Sequence, residues 1–260
     1  YPENTASDRW TGFYSAVDDG TFDIVVASAG DGGGYYRVFV DDALVLDSWT
    51  LNKAIADYVT LPLKAGTHKV VLEQRGRQKW PGDRLWLAIS RHGDRVTDAA
   101  KRMAATADLV VVAAGFDDVT ESEGADRTFQ LPPGQDELIS AMVGANARTV
   151  VVMNSGGAVD MNAWIDRVPA LLQAWYPGQE GGTAIAEILF GVVNPSGRLP
   201  ATFERRWPDN PSHDSYYPEP GTLAVRYREG IFVGYRGFDA KGVDVLFPFG
   251  HGLGYTSFAY

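Results

Sequence analysis

Near Gly93 the chain changes its pattern. Before it, apolar and polar residues alternate in short runs broken by Gly- and Asp-rich turns. After it, continuous apolar runs alternate with helical stretches. No single layer arrangement satisfies both patterns, so the fold must have two parts. In the first, residues 20–28, 35–40, 43–46, 58–61, 68–74 and 84–90 read as strands, with 31–34 and 64–67 as turns. Asp41-Asp42, between two apolar runs, predicts a two-residue hairpin turn. Strands at roughly ten-residue spacing without helices imply an antiparallel β-sandwich.

In the second part, 94–105 predicts a helix with an Asp cap, and 133–145 another with Pro at its start and Asp136 and Glu137 in its first turn. A third helix is expected over 181–190. The apolar runs 108–115, 149–154 and 170–175 read as buried strands. Such alternation builds a mainly parallel sheet covered on both faces. The expected organisation is therefore an antiparallel β-sandwich over 1–92 followed by an α/β sandwich over 93–260. The Pro-, Asp- and Ser-rich stretch 207–223 reads as an ordered loop.

Composition excludes several classes of function. With 23 basic against 33 acidic residues the net charge is −10 and no basic stripe exists, which disfavours nucleic acid and anionic membrane as partners. The absence of cysteine removes disulfides, thiolate metal sites and cysteine nucleophiles. No apolar run approaches the ~20 residues that span a bilayer. Seven Trp and twelve Tyr suit a protein that handles sugars, and equally suit β-sandwich cores. The chain starts at Tyr1 with neither an initiator Met nor a signal peptide, so a processed product or a fragment is expected. A secreted or periplasmic location is favoured, with a cytoplasmic one left open.

The chemistry concentrates in one loop. Glu121, Glu123, Asp126 and Arg127 fall within seven residues, after the strand 108–115. Ligands of α/β sheets collect at the carboxyl ends of strands, and a crowd of carboxylates serves acid–base work on a polar substrate. A core cannot hold so many like charges unpaired, so the loop is either solvated surface or a site. Asp126 and Arg127 are expected to pair and anchor the loop. Glu123, preceding Gly124, is then the carboxylate freest to project, with Glu121 its competitor. Elsewhere the bland readings win. Ser155 lacks a Gly-x-Ser-x-Gly elbow and reads as part of a backbone turn. Gly178, Gly181 and Gly182 open a helix without a Walker lysine or dinucleotide spacing, and close packing of that helix on the sheet accounts for them. His68, His92, His213 and His251 show no ligand spacing, so neither a metal nor a cofactor is expected. Asp41 and Asp42 could clasp calcium, but a hairpin explains them with fewer assumptions.

Six collinear motifs over about 150 residues carry a resemblance. They are Glu121-Ser122-Glu123-Gly124-Ala125-Asp126-Arg127, Leu131-Pro132-Pro133-Gly134-Gln135, Trp175-Tyr176-Pro177-Gly178-Gln179-Glu180-Gly181-Gly182, Asn194-Pro195-Ser196-Gly197-Arg198-Leu199-Pro200, Tyr227-Arg228-Glu229-Gly230-Ile231-Phe232-Val233-Gly234-Tyr235-Arg236 and Phe247-Pro248-Phe249-Gly250-His251-Gly252-Leu253-Gly254-Tyr255. In this order they resemble the C-terminal α/β-sandwich domain of glycoside hydrolase family 3. More weakly, Arg9-Trp10-Thr11-Gly12-Phe13, Val38 to Asp42 and Asp47-Ser48-Trp49 resemble the protective-antigen-type β-sandwich inserted in that domain of some β-glucosidases.

The resemblance implies a retaining, exo-acting β-glucosidase acting on β-linked glucosides. Its acid/base would be Glu123, on a loop shaped by Glu121, Asp126 and Arg127. Its nucleophile would be an Asp on an N-terminal (β/α)8 barrel, and no segment here corresponds to it. By the same analogy Trp49 and Trp80 are candidates for contact with the aglycone. The rival reading is a non-catalytic carbohydrate-binding or scaffolding module whose acidic loop is surface.

Overall fold

The computed structural model describes residues 7–29, 35–49, 56–75, 84–117, 120–121, 127–219 and 222–259. Seven strands come first: β1 (Ser7–Ala16), β2 (Gly20–Ala29), β3 (Tyr35–Val40), β4 (Ala43–Asp47), β5 (Ala56–Leu63), β6 (Gly66–Arg75) and β7 (Arg84–Arg91). They form two antiparallel sheets, ordered β1-β6-β3-β4 and β5-β2-β7. Alternation decides which side chains meet between them. In β3, Tyr36, Val38 and Val40 are buried and their neighbours are not; Phe22, Ile24 and Val26 of β2 join them, with Val70 and Leu72 of β6. Val71 is also buried, so β6 is covered on both faces there.

Local chemistry sets the turns. Asp41 and Asp42 have φ of 48° and 65°, the doubly left-handed turn whose twist suits a two-residue hairpin, as the sequence leads one to expect. Pro62 pairs opposite Thr21 on β5, an edge strand, where the missing N–H costs no ladder bond. The sequence reading singles out no strand over β1. This edge strand leaves nearly every side chain exposed, including Trp10 and Phe13, and so shows no contrast between inside and outside. Between β1, β6 and β7 lies a cleft of about 530 Å³, lined mainly by Trp10, Phe13, Leu72, Leu85, Leu87 and Ile89.

There follow, in chain order, α1 (Asp98–Thr106), β8 (Val110–Gly115), α2 (Gln135–Ala145), β9 (Thr149–Asn154), β10 (Ala170–Gln173), α3 (Gly181–Leu189), β11 (Phe203–Glu204), α4 (Tyr235–Lys241) and β12 (Val245–Phe247). The parallel sheet has the order β10-β9-β8, and β11 pairs antiparallel with β12. Helix α1 starts four residues later than expected. Its cap is Thr97, whose hydroxyl accepts the Ala100 N–H, while residues 92–96 form turns in which Gly93 has φ of 85°. Helix α2 likewise begins at Gln135 behind Gly134, two residues inside the expected start.

Two compact units make up the chain, 1–150 and 151–260, the division falling inside β9. In the second, Val151, Met153, Val159, Met161, Trp164, Phe203 and Phe238 are buried. No helix among the described residues is long and apolar enough to cross a membrane.

Candidate active site

The acidic loop leaves β8 at Gly115 and ends where α2 begins, at the carboxyl end of a strand in the parallel sheet. Its entry is a turn built on Asp117, whose carboxylate accepts from the Thr120 N–H (2.9 Å) and hydroxyl (2.7 Å). The Asp117 carbonyl accepts the Glu121 N–H at 2.8 Å. Glu121 then meets Arg127 across the loop, Oε2 to Nε, at 3.1 Å. Both side chains are mostly covered, and the Arg127 guanidinium also lies 4.6 Å from the centre of the Phe116 ring. Thus Asp117 and Glu121 are both committed to the loop's own structure. Arg127 pairs with Glu121, while its expected pairing with Asp126 falls on a residue outside those described. Glu123 and Asp126 themselves lie outside the described residues.

The two feet of the loop are tied together. The Gly115 N–H donates to Gln135 Oε1 at 2.6 Å, and Gln135 Nε2 donates back to the Gly115 carbonyl at 2.7 Å. At the second foot, Gly134 has φ of 89°, and a Cβ there would stand 2.7 Å from Arg95 Cδ. Arg95 in turn reaches Asp23 Oδ2 at 3.1 Å and Ser90 Oγ at 3.2 Å.

Asp23 is 1% exposed, a buried carboxylate that also accepts from Thr60 Oγ1 at 2.6 Å. His92 Nδ1 lies 3.1 Å from Asp23 and 3.3 Å from Glu137 Oε1 on α2. The histidines are scattered in sequence, yet folding brings three possible ligands, Asp23, His92 and Glu137, within 4.8 Å of one another. Arg95 already balances Asp23, so the arrangement works as an ion pair with polar contacts that link β2 to β7 and to the first turn of α2. Sequence reading missed this cluster because its members are far apart along the chain. The remaining histidines have other partners: His68 meets Asp41 at 2.6 Å, His213 meets Asp214 at 2.8 Å, and His251 stacks on Phe247.

The bland readings of the other motifs acquire physical content. Ser155 is fully buried, donates to the Gly157 carbonyl at 2.8 Å and accepts from Gln173 Nε2 at 3.1 Å, which makes it a turn clamp. The glycines at the start of α3 require a correction. A Cβ on Gly181 would meet Pro177 Cγ at 2.5 Å, and Gly178 has φ of 70°, whereas a Cβ on Gly182 would enter open space. The preceding turn, not packing on the sheet, demands the first two. In that turn Trp175 has φ of 56°, a left-handed conformation rare for so bulky a residue, and its ring meets Phe203 edge-on at 6.0 Å. Trp49 is half-buried, 4.5 Å from the Arg37 guanidinium, and Trp80 lies outside the described residues.

The profile of the glycosyl hydrolase family 3 C-terminal domain matches residues 24–255. The chain belongs to glycoside hydrolase family 3. Relatives of this family agree over nearly the whole chain. A probable beta-glucosidase I of Neosartorya fischeri is 38% identical over 271 residues, covering 95% of this chain and 32% of the relative. Thermostable beta-glucosidase B of Acetivibrio thermocellus is 46% identical over 168 residues, covering 64% of this chain and 22% of its own length. Among solved structures, the beta-glucosidase of Kluyveromyces marxianus in complex with glucose superposes with a TM-score of 0.61 at 31% identity, over 96% of this chain and 31% of that one. DesR, a beta-glucosidase of Streptomyces venezuelae in complex with D-glucose, gives 0.58 at 36% identity, over 98% and 32%. The chain therefore spans about a third of the length of the curated relatives that match it end to end.

Proposed function

We propose that this chain is part of a retaining, exo-acting β-glucosidase and supplies its general acid/base, Glu123. The nucleophile would be an Asp on an N-terminal (β/α)8 barrel. In the first step Glu123 would give its proton to the leaving glycosidic oxygen while the Asp attacks the anomeric carbon. In the second, Glu123 as carboxylate would take a proton from water as that water displaces the Asp, restoring both groups. A carboxyl close to a second carboxylate and shielded from water stays protonated to higher pH, as the first step requires.

The observation that carries this reading is the division of labour in the acidic loop. Asp117 shapes its entry and Glu121 pairs with Arg127, both structural roles; of the other loop carboxylates, Asp118, Glu123 and Asp126, Glu123 is the one that the family motif assigns to acid/base work. Asp126 and Arg127 are assigned to shaping the loop. The seven-stranded sandwich is proposed to be a protective-antigen-type domain ending near residue 92, with Trp49 and Trp80 as contacts to the aglycone. The rival reading, a carbohydrate-binding module, would look to the cleft beside β1. That cleft is lined chiefly by aliphatic and aromatic groups, with hydroxyls only from Thr11 and Tyr14, a poor match to a polyhydroxylated ligand.

The test compares Glu123→Gln with Glu121→Gln in the full-length enzyme on an unactivated β-glucoside. Loss of the acid/base should lower kcat/KM by about 10²–10⁴-fold in Glu123→Gln. Glu121→Gln, which weakens a loop ion pair, should cost much less. The reverse order would assign the role to Glu121.

A further inference from the structure

We propose that Gln135 is a positioning residue for the acid/base, fixing the two feet of the loop through its side-chain amide; this rests on the assignment of Glu123. The loop leaves the sheet at Gly115 and rejoins regular structure at Gln135. Acid catalysis needs the proton donor within hydrogen-bond reach of the leaving oxygen, so the points where the chain leaves β8 and enters α2 bear on the reach of a carboxyl between them. The Gln135 amide ties these two points together. It accepts from the Gly115 N–H (2.6 Å) and donates to the Gly115 carbonyl (2.7 Å), as a neighbouring strand would.

Few side chains can do this. An amide offers a donor and an acceptor side by side, while a glutamate carboxylate could take the Gly115 N–H but leave its carbonyl without a donor. The second foot is backed independently. The Arg95 side chain lies across Gly134, leaving no room for a Cβ, and Arg95 is itself anchored on the buried Asp23. Within the loop, the Glu121–Arg127 pair closes the span over Phe116. Gln135 is thus the one described side chain that grips the loop's exit from β8 while belonging to its landing on α2.

The distinguishing property of an acid/base is that it matters in proportion to how poor the leaving group is. Full-length Gln135→Met, close in shape but unable to pair, and Gln135→Glu should be assayed on aryl β-glucosides of graded leaving ability, with Glu123→Gln alongside. Misplacing the acid should lower kcat/KM for phenyl glucoside roughly tenfold to hundredfold. For 2,4-dinitrophenyl glucoside, whose departure needs no proton, the change should stay within about threefold. Equal losses on both substrates, or none, with Glu123→Gln still showing the graded loss, would overturn the positioning role and leave the acid/base assignment standing. An ungraded loss in Glu123→Gln would remove both. Should the variants fail to fold, amide exchange in the parent enzyme decides: a protected Gly115 N–H supports the clamp, and one exchanging at the rate of an open loop sinks it.

Discussion

Two residue-scale features carry charge where the fold must answer for it. Asp23 is almost wholly buried, and Arg95, His92 and Thr60 supply its compensation. Removing one partner of such a group strands the other, which typically costs about 3–5 kcal/mol. Arg95→Met should therefore lower stability by about 3 kcal/mol in urea unfolding, far more than a surface Arg of the same fold. His68 presents a different case. Its Nδ1 meets the Asp41 carboxylate at 2.6 Å and its Nε2 meets the Lys64 carbonyl at 2.8 Å, a pattern that needs protons on both nitrogens. Bonding to Asp41, then to the Lys64 carbonyl, holds the imidazole above its usual value, while His68 and then the Lys69 N–H hold Asp41 below the usual carboxylate range. The histidine's contribution is complete below about pH 6.5 and is lost as pH rises through its raised value. That of Asp41 is complete above about pH 4 and is lost as pH falls through its lowered value. The pair thus stabilises most between those limits. The melting temperature should fall modestly from about pH 6 to pH 9, and His68→Asn should remove that part of the slope. At this scale the sequence was legible only for neighbours. It placed Asp41 and Asp42 in a turn, but the partners of Asp23, Arg127 and Gln135 are set by tertiary folding, which no local pattern encodes.

At the scale of elements, the clearest lever is the β3–β4 hairpin. Both central residues are left-handed, and Gly adopts that conformation without the Cβ penalty, so Asp42→Gly should be neutral or stabilising by up to about 1 kcal/mol. The loss of the 2.7 Å Lys69–Asp42 contact, an exposed ion pair, offsets little of this. A second lever joins α1 to α2. Asn146 donates to the Ala104 and Ala107 carbonyls at 2.9 and 2.7 Å, closing the carboxyl end of α1 from the end of another helix. Asn146→Ala leaves those carbonyls without this donor and should cost about 1–3 kcal/mol, read from chemical denaturation. Strands with strong alternation, such as β3, and apolar runs such as β9 were readable because burial and period coincide there. Strand β1 was not, being an exposed edge, and α1 was misjudged because Asp94 sits in a turn and Thr97 makes the cap. Caps depend on where the chain turns, and a string of Asp and Thr offers several candidates.

For the whole molecule, the telling feature is how much apolar surface the second unit exposes. Phe190, Leu223, Tyr227, Ile231 and Leu253 are each more than three-quarters exposed. Where such side chains are contiguous they mark an interaction surface, and the match covers 32% of a curated relative's length. On the proposed function, a barrel domain would cover part of this surface. The motif order disclosed the family because six motifs stand in register over the second half of the chain. The proposed partner of Glu123, an Asp on a barrel domain, has no counterpart in this sequence, so no pattern here describes the geometry between the two. That partnership can be read from a product. Full-length Glu123→Ala should be given 2,4-dinitrophenyl β-glucoside in the presence of azide, which attacks a glucosyl–enzyme without base assistance. Accelerated turnover with release of β-glucosyl azide is the predicted result. Unaccelerated turnover with no azide adduct, or rescue seen only in the corresponding Glu121 variant, would contradict the account.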